Sequence, residues 1–316
     1  MVRTSREHGL GAAAAVVLGM AAALGTPAVG SAQTRVDPPV AEGYETTRGL
    51  AMGLGSRASA ASTSALQYNA AGLTIGRVYH IESIVGYEPG TTRFSVGAAI
   101  VDSYSSPIAM GMSYRYIHGN GRDGHGGMEG RISLALPIGD AFAIGVSGRY
   151  MSFWREGQPE GDTRGPFAEG VTMDAAIRVM PVEGLHIAAL GYNLIDHGTS
   201  LVPRLVGGSA SYTIERMVTI AFDGLADLST FCQDGPCATA PGDLRPEAVF
   251  GGAVEVFVSG VPIRAGYSFD TGRDIHYVTA GLGYVTSDWG LDFSWRQQIV
   301  GDDDTWLLLG FRYFVH

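Results

Sequence analysis

Hydrophobic and polar residues alternate along most of the chain after residue 77. In VPIRAGYSFD (261–270), for example, one set of alternate positions is apolar and the other is polar or glycine. Successive side chains of a β-strand point to opposite faces, so this period of two predicts a strand with one apolar and one polar face. The predicted strands cover 79–87, 93–101, 108–116, 130–136, 142–150, 171–179, 186–194, 206–214, 218–223, 252–258, 261–270, 276–285, 289–300 and 305–315.

The length of these strands and of their connections indicates the solvent that they face. Most strands span roughly nine to twelve residues, which matches a tilted membrane-spanning strand better than the usual five or six. Connections at one end are short, such as PIGD and TSD, whereas most at the other end are longer, such as EGQPEGDTRGPFAEG. An exported soluble β-sandwich, the alternative, predicts shorter strands and no such bias. We therefore predict an all-β fold, a transmembrane antiparallel β-barrel of about fourteen strands, with its apolar face in lipid.

The first 32 residues have the composition of a secretory signal peptide. Arg3 and Arg6 precede an apolar run from about Gly9 to Leu24, and Gly30-Ser31-Ala32 provides a cleavage site ahead of Gln33. The run is shorter than the ~18 residues that a membrane-spanning helix needs, although an anchored N-terminal helix is the alternative. We expect an exported protein in the outer membrane of a Gram-negative bacterium.

Residues 33–77 lack the alternation and form a separate segment ahead of the barrel, which we assign to residues 78–316. The small-residue stretch Ala58–Leu66 predicts a short helix, with Gly72 as its C-cap. A segment of this size could fill the lumen as a plug, pack beneath the barrel or extend into the periplasm.

Charge and cysteine content exclude several functions. The net charge is −10 and the chain contains no lysine, so we expect no nucleic-acid partner. Cys232 and Cys237 flank a Gly-Pro turn, and in an exported protein this pair predicts a disulfide within a loop. A zinc site would need a second ligand pair nearby, so we expect neither a metal nor a cofactor.

The stretch from Arg48 to Leu73 resembles the N-terminal signature of the long-chain fatty-acid transporter superfamily of outer-membrane barrels, which includes shuttle-like barrels of type IX secretion. The matching residues are Arg48, Met52, Gly53, Gly55, Ser64, Ala65, Leu66, Asn69, Ala71, Gly72 and Leu73. Ala70 departs from the proline usual in the family. The resemblance implies a plug, or hatch, inside the barrel, whose turns are shaped by Gly53, Gly55, Asn69 and Gly72. It also implies that an amphiphile passes beside the hatch and leaves sideways through a gap in the wall.

Arginines recur on the face that we assign to the lumen: Arg115, Arg131, Arg149, Arg178, Arg264, Arg296 and Arg312. Four of them, Arg115, Arg149, Arg264 and Arg296, are candidates to hold a carboxylate or phosphate headgroup. Acidic residues on the same face nearly balance them, so a structural network of ion pairs is the alternative.

The resemblance favours passive uptake of hydrophobic or amphipathic, fatty-acid-like small molecules. The alternatives are a docking or shuttle barrel for exported proteins and a structural barrel without transport. We expect no enzyme, because the histidines are scattered and no Gly-x-Ser-x-Gly motif is present.

Expected partners are outer-membrane lipid, a hydrophobic small molecule and the barrel assembly machinery, whose terminal signal the ending LGFRYFVH resembles. We expect a monomer. The glycine-rich strand VGGSAS, 206–211, is the predicted position of an opening in the wall.

Overall fold

Fourteen antiparallel strands close into a barrel in the computed structural model, in which β1 pairs with β14 and every other pairing joins neighbours in sequence. The structure describes residues 45–90, 92–118, 125–155, 168–195, 202–228, 248–271, 274–300 and 304–315. The strands are β1 Tyr79–Glu88, β2 Arg93–Asp102, β3 Ala109–His118, β4 His125–Ile138, β5 Phe142–Arg155, β6 Ala168–Val182, β7 Leu185–Tyr192, β8 Leu205–Ile214, β9 Val218–Asp227, β10 Ala248–Val258, β11 Val261–Asp270, β12 Ile275–Val285, β13 Trp289–Val300 and β14 Thr305–Phe314. The predicted fold class is confirmed.

The two faces of the wall divide as the alternation predicts. On β1, Ile81 is 45% and Val85 54% exposed outwards, whereas His80 and Glu82 are buried on the inner side. Most other strands repeat this arrangement, and the outer surface is covered by large apolar side chains. Such a surface requires lipid as its solvent, so the protein is an outer-membrane β-barrel.

Five strands are longer than predicted by four residues or more. β4 and β5 have 14 residues each, β6 has 15, β9 has 10 and β10 has 11, and the additional residues lie mostly at the end where the connections are long. Backbone pairing continues there without apolar alternation, as at the Gly127↔Phe153 pair between β4 and β5. At the opposite end, which we take as periplasmic, connections are as short as two residues, 183–184 and 259–260.

Between residue 45 and the barrel the chain forms two short α-helices and a 3-10 helix: α1 Thr47–Ala51, α2 Ser62–Tyr68 and the 3-10 helix Ala70–Thr74. The Thr46 hydroxyl caps α1 by accepting from the Gly49 amide at 3.2 Å. No helix in the described ranges is long and apolar enough to cross a membrane. The prediction that Gly72 caps α2 is wrong, because α2 ends before Asn69 and Gly72 lies within the 3-10 helix. There, a Cβ on Gly72 would lie 2.0 Å from the Ala60 carbonyl oxygen.

Candidate functional site: the interface between segment and wall

Residues 45–78, hereafter the lumenal segment, precede β1 and lie largely inside the barrel, with Gly76 and Arg77 exposed at its end. Hydrogen bonds join this segment to inward-facing residues of ten strands: His80, Arg115, Arg131, Arg178, Tyr192, Ser209, Asp223, Glu255, Thr279 and Arg296. These partners surround the segment on all sides. The predicted plug boundary at Gln33 stays a prediction, since residues 33–44 lie outside the described residues.

The backbone of the segment touches the backbone of the wall, and glycines make this possible. A Cβ on Gly145 of β5 would lie 2.1 Å from the Ala71 nitrogen, and one on Gly266 of β11 would lie 2.6 Å from the Met52 carbonyl carbon. Gly53 makes the reciprocal approach, because its own Cβ would lie 2.6 Å from the Tyr267 nitrogen, and its φ is +53°. Larger residues at these positions would push the segment away from the wall.

The four predicted turn residues are all buried at this interface. Gly55 faces Gly252 of β10, with only 3.0 Å between its would-be Cβ and that backbone. Asn69 is buried and donates from Nδ2 to the Arg57 carbonyl at 2.9 Å, which ties the end of α2 to the preceding loop. That Gly53, Gly55, Asn69 and Gly72 shape the turns of a hatch stays a prediction.

Arg57, which the sequence did not indicate as a candidate, bonds the wall through both its side chain and its backbone amide. Its Nη1 lies 2.9 Å from Oδ2 of Asp223 on β9, and its Nε donates to the Tyr192 hydroxyl at 3.0 Å. The guanidinium also lies 5.5 Å from the ring centre of Tyr68 and 5.7 Å from that of Tyr192. The sequence feature that could have indicated its role is a lone arginine within the small-residue stretch GLGSRASAAS.

The four arginines predicted as headgroup contacts fall into three sets of bonds. Arg149 bonds Glu129 at 2.5 Å, and Arg264 bonds both Glu255 at 2.5 Å and Asp292 at 2.6 Å. Arg296 and Arg115 both bond Glu45 of the segment. Arg296 bonds its carboxylate at 2.6 Å, and Arg115 donates to its backbone carbonyl at 2.9 Å. This arrangement favours the structural network, and headgroup binding by these four residues stays a prediction.

A small cavity lies between the lumenal segment and the wall. Its volume is about 10 Å³, which is room for one water molecule. The segment lines it with Leu66, Tyr68, Asn69 and Ala70. The wall lines it with both polar and apolar residues: Arg131, Ser147, Asp174, Ala175, Ala176 and Tyr192. Because Asp174 lies on β6 and Tyr192 on β7, the cavity adjoins the junction between these two strands.

The pairing of the wall is irregular at that junction. The β6–β7 ladder ends at Ala175↔Gly191, so residues 168–174 pair with β5 but with no residue of β7. Beyond Tyr192 the chain leaves the ladder: Asn193 has φ +53°, and its amide donates to the Asp174 carboxylate at 2.9 Å. One backbone bond, Leu194 N to Met173 O at 2.9 Å, continues the contact.

The prediction of an opening at 206–211 is wrong. β8 pairs with β7 from Leu205 to Tyr212 and with β9 from Leu205 to Ile214, without interruption. Gly207 instead makes room for its neighbours, because a Cβ there would lie 2.7 Å from the Leu225 side chain and 2.1 Å from the Gly224 carbonyl oxygen. Cys232 and Cys237 lie outside the described residues, so their disulfide stays a prediction.

Comparison with protein-family models found no match, and neither did comparison with curated proteins. Solved structures do match. The toluene transporter TbuX of Ralstonia pickettii is 14% identical over 84% of this chain and 99% of its own, with a TM-score of 0.59. The CymD monoaromatic hydrocarbon channel is 11% identical over 88% of this chain and 97% of its own, with a TM-score of 0.61. A Pseudomonas aeruginosa FadL homologue is 12% identical over 86% of this chain and 98% of its own, also with a TM-score of 0.61.

At these identities the matches show a shared fold. The chain is an outer-membrane barrel of the architecture found in the FadL-type hydrocarbon channels, and its lumen holds residues 45–78 of its own chain.

Proposed function

We propose that this barrel mediates passive uptake of hydrophobic or amphipathic small molecules across the outer membrane. The observation that carries the proposal is the position of the cavity beside the irregular β6–β7 junction. A molecule that reaches the cavity lies next to the β6–β7 ladder, whose pairing stops at Ala175. The solved channels with this fold are named for toluene and monoaromatic hydrocarbons, which is the same class of solute.

A route for water-soluble molecules is less consistent with this architecture. The lumenal segment bonds to strands around the whole circumference, so it obstructs a straight path along the barrel axis. A hydrophobic solute needs no water-filled path, because it gains free energy when it leaves the lumen for the surrounding lipid. Sideways release therefore suits this class of solute.

Passage requires the lumenal segment to move. A cavity of about 10 Å³ holds one water molecule but no aromatic ring. The cavity is bounded by Leu66, Tyr68 and Ala70, so displacement of α2 and the 3-10 helix from β6 would enlarge it. We infer that the segment leaves this part of the wall transiently and that the solute exits between β6 and β7.

A disulfide across the junction tests the exit. Met173→Cys with Leu194→Cys joins two outward-facing positions whose backbones are hydrogen-bonded, each 39% exposed in the wild type. Ile187→Cys with Ala210→Cys, a directly paired position in the intact β7–β8 ladder, is the matched control. Both pairs are placed in a background in which Cys232 and Cys237 are changed to serine.

Uptake of radiolabelled toluene and dodecanoate is measured in cells that lack their own hydrocarbon channels. We expect oxidation of the 173–194 pair to abolish uptake and reduction of its disulfide to restore uptake. Oxidation of the control pair should leave uptake unchanged. Equal uptake by both oxidised pairs would exclude this exit. No uptake by the wild type, together with a stoichiometric protein that co-purifies, would favour the shuttle barrel instead.

A further inference from the structure

Arg178 on β6 differs from the other inward-facing arginines of the wall. Its side chain is buried, with 5% of the residue exposed, yet in the described part of the chain no carboxylate lies within ion-pair distance. Arg131, Arg149 and Arg264 are equally buried, and each bonds two carboxylates. A buried charge without a counter-ion is costly, so an anion that binds beside Arg178 would lower that cost.

The groups bonded to Arg178 are neutral, and they occupy only some of its N–H donors. Nη1 lies 3.0 Å from Nδ1 of His186 on β7, and Nη2 donates to the Thr74 hydroxyl at 3.1 Å. A guanidinium has five N–H donors, so most are left over, and the buried Nε has no partner among the described residues. Because His186 Nδ1 accepts from the guanidinium, the imidazole proton is on Nε2, which adds a further donor.

These three residues lie near the periplasmic mouth of the barrel. Arg178 is four residues before the end of β6, which the turn 183–184 connects to β7. Thr74 and His186 are only half-buried, and Gly76 and Arg77, which follow the 3-10 helix, are exposed. The group therefore lies beside the exposed end of the lumenal segment, on the periplasmic side.

We propose that Arg178 and His186, with Thr74 orienting the guanidinium, form a binding site for an oxyanion, a carboxylate or a phosphate group, at the periplasmic mouth. The planar guanidinium fits both groups through paired N–H donors. Three ligands share this chemistry: the carboxylate of an amphiphile that leaves the barrel, the phosphate group of a lipid, and free inorganic phosphate. Binding at the mouth needs no passage through the barrel, so the inference goes beyond the proposed function.

Isothermal titration calorimetry of the full chain in an uncharged maltoside detergent tests the site. Sodium benzoate and inorganic phosphate are the probes, and benzyl alcohol is the uncharged comparison. The variants are Arg178→Gln, which removes the charge, and Arg178→Lys, which keeps it but loses the planar donors. Arg216→Gln is the matched control, because Arg216 is an exposed arginine in the turn between β8 and β9 at the same end.

We expect saturable binding of at least one anion to the wild type and to Arg216→Gln. Arg178→Gln should bind about tenfold more weakly or worse, as expected for the loss of one charge-assisted hydrogen bond, with Arg178→Lys in between. Binding of benzoate alone would identify a carboxylate ligand, and binding of phosphate alone a phosphate ligand. The absence of saturable binding to the wild type, or equal affinities for the wild type and Arg178→Gln, would overturn the proposal. Heat-modifiable mobility on gels verifies that each variant is folded.

Discussion

Arg57 of the lumenal segment and Asp223 of β9 form a buried ion pair, and the same carboxylate oxygen also accepts from the Arg57 backbone amide at 3.1 Å. Burial lowers the pKa of the Arg57 guanidinium, but Tyr192 and Asp223 more than offset this, so the net shift is upwards and the charge is retained. The pair fixes the loop between α1 and α2 to the wall. It is the clearest single attachment of the segment.

Removing one member of this pair should destabilise the protein more than removing both. Arg57→Met leaves the Asp223 carboxylate buried without its partner, which typically costs about 3–5 kcal/mol. The double variant Arg57→Met, Asp223→Leu removes both charges and should recover much of that loss. Urea unfolding in lipid vesicles, followed by tryptophan fluorescence, measures the difference. If the double variant is no more stable than the single one, the ion pair is not the dominant attachment.

Substitution of an inward glycine should dislodge the segment without opening the wall itself. Gly145→Val places its side chain where Ala70 and Ala71 now lie, whereas a Cβ on Gly148, three residues along the same strand, meets nothing within 4 Å. We expect Gly145→Val to raise the single-channel conductance in planar bilayers, and Gly148→Val to behave like the wild type. An unchanged conductance in a folded Gly145→Val barrel would show that the segment can shift and still block the lumen.

Two buried arginines of the wall should respond in opposite ways to the same substitution. Arg149→Gln leaves Glu129 and Asp174 with fewer bonds and should lower the free energy of unfolding by about 1–3 kcal/mol. Arg178→Gln removes a buried charge that has no acidic partner in the described ranges, so stability should be unchanged or higher in anion-free buffer. Equal destabilisation by both would mean that Arg178 has a structural counter-ion.

Hydrogen exchange should locate the weakest part of the wall. Amides of residues 168–174 lack β7 partners, whereas those of 206–211 lie between two complete ladders. Exchange measured by mass spectrometry in detergent should therefore be faster in peptides that cover 168–174. The reverse order would restore the glycine-rich strand as the candidate opening.

The alternation predicted all fourteen strands and their lipid and lumen faces, because the period of two is a local property of sequence. It underestimated five strands, since backbone bonds continue after the apolar pattern has stopped, as at Gly127; these strands are β4, β5, β6, β9 and β10.

The contacts of the site were harder to predict from sequence. The inward direction of Arg149 and Arg264 was predictable, but their partners depend on which strands become neighbours. The end of the β6–β7 ladder at Ala175 is a matter of register between strands, and glycine content at 206–211 was a misleading guide to it. Arg57 was missed because no alternation marks a segment that contacts the wall on all sides.

A reversible tether between segment and wall tests the central claim most directly. The Ala58 amide donates to the Ser209 hydroxyl at 2.7 Å, so Ala58→Cys with Ser209→Cys can join the segment to β8 when both native cysteines are changed to serine. Toluene uptake is measured in oxidised and reduced cells, with each single cysteine variant as control. If the segment must move, the oxidised pair takes up no toluene and the reduced pair regains the wild-type rate. Uptake at the same rate in both states would contradict the account.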